Sequence, residues 1–248
     1  MKVGAQLNIY GKMLETNFQK ILENIYAMGY SGIETSYRIA LMYRDLKKLL
    51  DKNELKLVAL HMGMVNLERV EEMLDILSKS NGLYLTLSGA GGRTNSIEKY
   101  LKGSRLLNKV GKIASNYGIL LCYHNHMHEI VYNARGIKTI VRNTNPSLVK
   151  LCVDTYWVRC SGMDPAKFIE EYINRIEYLH LKDGRKEDMI STPKRFCELG
   201  RGIIDFRKIL EIATSKPMNW VIVEQDRSDK DPNESMRISR EFLRKLGY

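Results

Sequence analysis

Three carboxylates and five histidines stand where short apolar runs of this sequence give out. Glu34 follows Gly32-Ile33, His61 follows Leu55–Leu60, and His124, His126 and His128 follow Ile119–Tyr123. Asp154 follows Val149–Val153, His180 follows Ile176–Leu179, and Glu224 follows Val221–Val223. None of the histidines falls in a stretch with helical periodicity. A packed core does not collect so many ionisable groups, because unpaired buried charge is costly. A bound divalent cation accounts for them. Carboxylate and neutral imidazole are ligands of Mn, Mg, Co or Zn, and the lack of thiolates at zinc-type spacing favours the first three over a structural zinc. A mixed nitrogen and oxygen set with open positions is catalytic in character. The alternative is a hydrogen-bonded polar mouth that holds no metal.

Such a set needs a scaffold that brings strand ends together. Val149–Asp183 reads as strand, helix, strand: Asp164 is an N-cap, Pro165 sits at the first helical position, and Phe168, Tyr172 and Ile173 form one apolar stripe. Parallel strands joined by a helix carry ligands at their carboxyl ends. The same unit recurs along the chain. Strands are expected at Val3–Leu7, Gly32–Glu34, Leu55–Leu60, Leu83–Leu87, Ile119–Tyr123, Val149–Val153, Ile176–Leu179 and Val221–Val223. Helices are expected at Phe18–Met28 (capped at Asn17), Ala40–Leu50, Leu67–Leu77, Ser96–Tyr117, Gly136–Arg142, Asp164 onward, Asp205–Ala213 and Asp231–Leu246. Eight strands alternating with eight helices, with no linker between them, predict a closed α/β barrel, (β/α)8, spanning residues 1–248 as one domain. An open doubly wound sheet gives no reason for charged residues at nearly every strand end.

Alternation sharpens the fifth strand. If His124 points into the barrel, Cys122 and His126 do too, while Tyr123 and Asn125 face the helices. His128 then lies in a loop without a specific role, and Glu129 could turn back into the site. The turn Ser88–Arg93, SGAGGR, lacks P-loop spacing and its lysine, so its glycines with Arg93 suit a phosphate, a sugar or a plain turn.

Composition narrows the class. The 248 residues are 44% hydrophobic and 27% charged, as in ordinary globular proteins. No run of eighteen apolar residues exists, so no membrane span is expected. Met1-Lys2 leads directly into a strand pattern without signal-peptide sections, so the expected location is cytoplasmic. Of the four cysteines, Cys122 and Cys152 fall within apolar strands and read as buried thiols. The net charge of +10 could attract nucleic acid or a phosphorylated small molecule. Lysines and arginines scattered over most helices favour a solvated surface instead.

The motifs GYSGIE (29–34), YHNH (123–126), VDTYW (153–157), YLHLKD (178–183), ELGRGIIDF (198–206) and VEQD (223–226), in this order, resemble the xylose-isomerase-like barrel superfamily of sugar phosphate isomerases/epimerases. That group also includes ketose 3-epimerases, hydroxypyruvate isomerases, inosose dehydratases and endonuclease IV. The resemblance implies one divalent cation held at the ends of strands five to eight. Asp154, His180 and Glu224 match that set. His124 stands where epimerases carry Glu, as in inosose dehydratase-like members, and Trp157 replaces a histidine three residues after the Asp.

The resemblance implies metal-dependent proton abstraction beside a carbonyl of a small carbohydrate, with isomerase/epimerase the default and dehydratase/lyase the runner-up. Epimerases use two opposed carboxylates. Here Glu224 is the expected base, and an opposing carboxylate is missing unless Glu129 or Glu34 supplies it. His126 is the further candidate for proton transfer, and His61, Trp157, Lys182 and Arg93 are expected to contact substrate. Endonuclease IV chemistry, with three zinc ions, needs more histidines than are present, and Ser88 and Trp157 stand where ligands are wanted. A non-catalytic sugar-binding role is the third class. Relatives of this kind often pair as homo-dimers or homo-tetramers.

Overall fold

The computed structural model describes residues 1–43, 45–92, 95–191 and 195–248, with the backbone alone described for 65–67 and 190–191. Eight parallel strands close in sequence order: β1 Lys2–Gln6, β2 Gly32–Ser36, β3 Lys56–Gly63, β4 Tyr84–Ser88, β5 Leu120–His124, β6 Val149–Asp154, β7 Ile176–Leu181 and β8 Trp220–Val223. β8 pairs with β1 to complete the (β/α)8 barrel expected above. Closure leaves no unpaired edge and carries every strand end to one face. Among the described residues, no helix is long and apolar enough to cross a membrane.

Two cores follow from alternation along each strand. Outward side chains such as Leu57, Leu85, Leu121, Val153 and Leu179 pack against the helices. Inside, Tyr84, Cys122, Cys152, Tyr178, Trp220 and Ile222 fill the barrel, with Tyr84 and Tyr178 stacked at 5.1 Å. Both cysteines are buried free thiols. The two Asp-Pro helix starts form as the sequence dictates. Asp164 accepts from the N–H of Ala166 and Lys167, and Asp231 from those of Asn233 and Glu234.

Some element bounds differ from expectation. β2 runs two residues past Glu34, and β3 runs past His61 to Gly63, because the pairings Ser36 with His61 and Gly63 with Ser88 extend the ladder. β5 instead stops at His124. The stretch 40–50 is not one helix but two, Tyr37–Met42 and Leu46–Lys52. A 3₁₀ turn, Met64–Arg69, precedes the helix Val70–Lys79. Asn17 makes no side-chain cap bond. The helical segment Met127–Asn143 starts well before Gly136 and is broken where Tyr132, Asn133 and Ala134 take left-handed dihedrals. That conformation costs a non-glycine residue about 1–2 kcal/mol.

Candidate metal centre

One ligand atom from each of His124, Asp154, His180 and Glu224 lies within 4.8 Å of the others, and all four residues are buried. Each sits at the carboxyl end of β5, β6, β7 or β8 and is at most 4% exposed. The strand-to-helix turn orients Asp154. Its Oδ1 accepts the N–H of Trp157 at 3.0 Å and caps the helix Thr155–Cys160, while Oδ2 has no hydrogen-bond partner. Asn125 holds the Asp154 backbone from β5, its Oδ1 accepting the Asp154 N–H at 3.0 Å. His180 is fixed from the far side of the barrel: its Nε2 lies 2.9 Å from Glu34 Oε2, and its Nδ1 lies against Glu224 Oε2.

Buried polar atoms without partners are rare in folded proteins, because each forfeits its hydration. Here Asp154 Oδ2 has none, and the paired His180 Nδ1 and Glu224 Oε2 and the neutral His124 ring bring their ligand atoms within 4.8 Å of it. That donor set fits a divalent cation. The Glu34 carboxylate behind His180 supplies the outer support that metal-bound imidazoles commonly have.

Charge in this cluster is strongly coupled. Burial pushes the Asp154 carboxyl up to about 7, against the pull of Lys182. For Glu224 burial acts in the same direction, but Lys182 and His180 outweigh it and hold the carboxyl well below the usual range. Burial works to lower His180, yet Cys152, Glu34 and Glu224 together raise it well above an ordinary imidazole. Without a cation, His180 therefore carries a proton between two carboxylates. A cation held by His180 would take the place of that proton, with Glu34 still paired to the other ring nitrogen. Burial depresses His124 and His61, and brings His126 down to about 4, so these three rings are neutral at pH 7.

Other expected site residues surround the four. His61 is partly accessible, with Nε2 3.1 Å from Ser88 Oγ. The His126 ring packs edge-on to His124 at 4.9 Å and lies 5.9 Å from Trp157, and its Nδ1 is buried without a partner. Lys182 Nζ lies 2.6 Å from Asp226, 3.4 Å from Glu224 and 3.6 Å from Asp154, under the faces of Phe196 at 4.4 Å and Trp157 at 5.0 Å. Arg93 lies outside the described residues.

Three expectations need correction. Glu129 does not turn back into the mouth. It accepts from Tyr123 Oη at 2.7 Å and from the His126 N–H at 2.9 Å, turning back onto the start of its own helix. Glu34 does reach the cluster but is committed there, accepting from Gln6 Nε2 at 3.1 Å and Tyr178 Oη at 2.9 Å besides contacting His180. His128 is not idle either, since its Nε2 lies 2.9 Å from Glu129 Oε1.

Sequence reasoning missed Gln6, Asn125, Tyr178, Asp183 and Phe196. Tyr178 was within reach, two residues before His180 on the same strand face. Asp183 accepts from the backbone N–H of Gly184, Gly200, Gly202 and Ile204, folding the loop of the ELGRGIIDF motif back over the mouth and seating Phe196 on Lys182. A Cβ at Gly202 would stand 2.1 Å from Asp183 Oδ1, so only glycine fits.

A closed parallel barrel with this ligand cluster at its carboxyl face defines a class, and the match to known families is specific. Residues 22–246 match the family model described as xylose isomerase-like TIM barrel, and the chain belongs to that family. The inosose dehydratase of Clostridium tetani (strain Massachusetts / E88) is 34% identical over 153 residues, covering 55% of this chain and 51% of that protein. In alignments of this kind the chain spans about half the length of the curated relative. The inosose dehydratase of Bacillus cereus strain AH820 is 26% identical over 266 residues, covering 92% of this chain and 89% of that protein. Among solved structures, a sugar phosphate isomerase/epimerase from Parabacteroides distasonis superposes with TM-score 0.80 at 22% identity, covering 98% of this chain and 93% of that one. The IolI protein with a bound zinc atom superposes with TM-score 0.81 at 16% identity, covering 99% and 98%. These two likenesses establish the fold.

Proposed function

We propose that this chain is a metal-dependent lyase that removes water from a keto-polyol of the inosose type, with isomerisation of a keto-sugar as the second reading. The observation that carries the choice is the state of the carboxylates. Epimerisation by two opposed bases needs a second free carboxylate opposite Glu224, and both candidates, Glu34 and Glu129, are held by internal hydrogen bonds. Relatives named inosose dehydratase at 26–34% identity support the same direction.

His124, Asp154, His180 and Glu224 would hold the divalent cation, which as a Lewis acid polarises a carbonyl oxygen. The remaining groups divide the proton work. Glu224, paired with Lys182 and His180, is a poor base, so the role falls to His126, a neutral imidazole with a free buried Nδ1. His126 takes the proton on the carbon beside the carbonyl. Those C–H electrons form the new C=C bond as the β C–O bond breaks, and the imidazolium returns its proton to the departing oxygen, releasing water. The Lys182 ammonium offsets negative charge developing on oxygen. Phe196 and Trp157 over Lys182 exclude water from that side.

Incubation with Mn²⁺ and a panel of inososes and keto-sugars in deuterated water tests the reading. Enone absorbance growing with loss of substrate supports elimination. Deuterium in a recovered isomer, without enone, moves the reading to isomerisation. Neither enone nor exchange with any candidate sinks both.

A further inference from the structure

Cys152 precedes Asp154 by two residues on β6, so both side chains enter the barrel and the thiol lies one layer below the carboxylate. His124 on β5 and His180 on β7 flank it, with His124 registered opposite Cys152. One ligand atom each from Cys152, His124 and His180 lies within 4.8 Å of the other two, and all three residues are buried. Cys152 Sγ is 3.9 Å from His124 Nδ1. This second cluster shares both imidazoles with the first. It differs in offering a thiol below where the first offers two carboxylates above.

Oxygen-rich sets suit Mn²⁺ and Mg²⁺, and sets containing sulfur with imidazole suit thiophilic ions. We infer that the barrel contains a second, deeper metal position formed by Cys152, His124 and His180, which takes a thiophilic divalent cation such as Zn²⁺ or Cd²⁺ and excludes occupancy of the carboxylate-rich position above it. Exclusion follows because the two positions compete for the same two rings. On capture the Cys152 S–H bond breaks, its proton leaves to solvent, and the sulfur electron pair forms the bond to the cation, with no change of oxidation state. The inference concerns ion choice and does not depend on which reaction the upper position serves.

Cadmium chloride titrated into the metal-free protein tests it, read by the ultraviolet thiolate-to-cadmium charge-transfer band. The wild type should develop the band to saturation at a single equivalent and lose calorimetric Mn²⁺ binding as it does so. Cys152→Ser should lose the band and keep Mn²⁺ binding. Asp154→Asn should keep the band and lose Mn²⁺ binding, which preserves the test if the serine variant does not fold. A full band in Cys152→Ser, no band in the wild type, or one Cd²⁺ and one Mn²⁺ bound together in metal analysis each overturns the inference. Failure of Mn²⁺ binding in the wild type counts against the upper centre alone.

Discussion

Along four neighbouring strands the barrel interior changes chemistry within two residues. Cys122, Cys152, Tyr178 and Ile222 lie below, and His124, Asp154, His180 and Glu224 lie directly above them. Accessibility does not separate the layers, since no side chain among the eight residues exceeds 4% exposure. What separates them is the source of their stability. The lower side chains gain from dispersion and removal from water. The upper ones lose hydration and recover it from one another, from Lys182 and Glu34, and from the Trp157 N–H on Asp154. One layer is therefore built to fold and the other to bind. Substitutions in the two should fail in different assays.

The largest effect is expected above. Asp154→Ala and His180→Ala should abolish Mn²⁺ binding in calorimetry while circular dichroism stays that of the folded barrel, because the lower layer is untouched. Unchanged affinity in both variants would remove the metal centre and the comparison with it.

Next is the proton-transfer residue at the rim of the upper layer. With the metal bound, His126→Gln should lower deuterium exchange into substrate by about 10² to 10⁴, the usual contribution of a positioned base. Wild-type exchange in this variant would hand the role back to Glu224.

Below, Ile222→Ala should reduce unfolding free energy in a denaturant titration by about 2–5 kcal/mol, through lost burial and a residual cavity. Mn²⁺ affinity of the folded variant should match wild type. If affinity collapses as well, the two layers are not separable.

Glu34→Gln sharpens the boundary between the layers. It removes the carboxylate behind His180 and should weaken Mn²⁺ binding by about 10–100-fold, as loss of an outer-shell partner does. Turnover should recover at saturating metal. If it does not, Glu34 takes part in the chemistry.

The smallest effect is graded with pH. Asp154 must be ionised to serve as a ligand, and burial holds its carboxyl at about 7 in the metal-free protein. Protons compete as pH falls, so apparent Mn²⁺ affinity should drop by about tenfold per pH unit below 7. The proton on His180 steepens that slope. Titrations repeated from pH 8 to 5 should show it, and a flat profile would mean that Asp154 is not a ligand.

Much of this was legible in the sequence because strand patterns are local. Apolar runs ending on Asp154, His180, Glu224 and His124 are visible without a partner strand, and eight alternations admit few closed architectures. Their identity as one cluster follows once the barrel closes. The same locality misled at Glu129: spacing alone could not show that Tyr123 and the His126 N–H would take its carboxylate. Alternation also ran His126 on as a strand residue, though β5 ends at His124.

What tertiary structure alone decided is which charged groups stay free. Glu34 and His180 meet across 146 residues of chain, and Lys182 meets Asp226 across 44. Such pairings depend on barrel closure and on the small register shifts between strands, neither of which leaves a trace in residue type. The sequence determined the fold and set the four candidate ligands at strand ends, because periodicity and strand-end residue types are local. The structure decided which carboxylates are committed to hydrogen bonds, because burial favours paired polar atoms and only the folded chain brings those partners within reach.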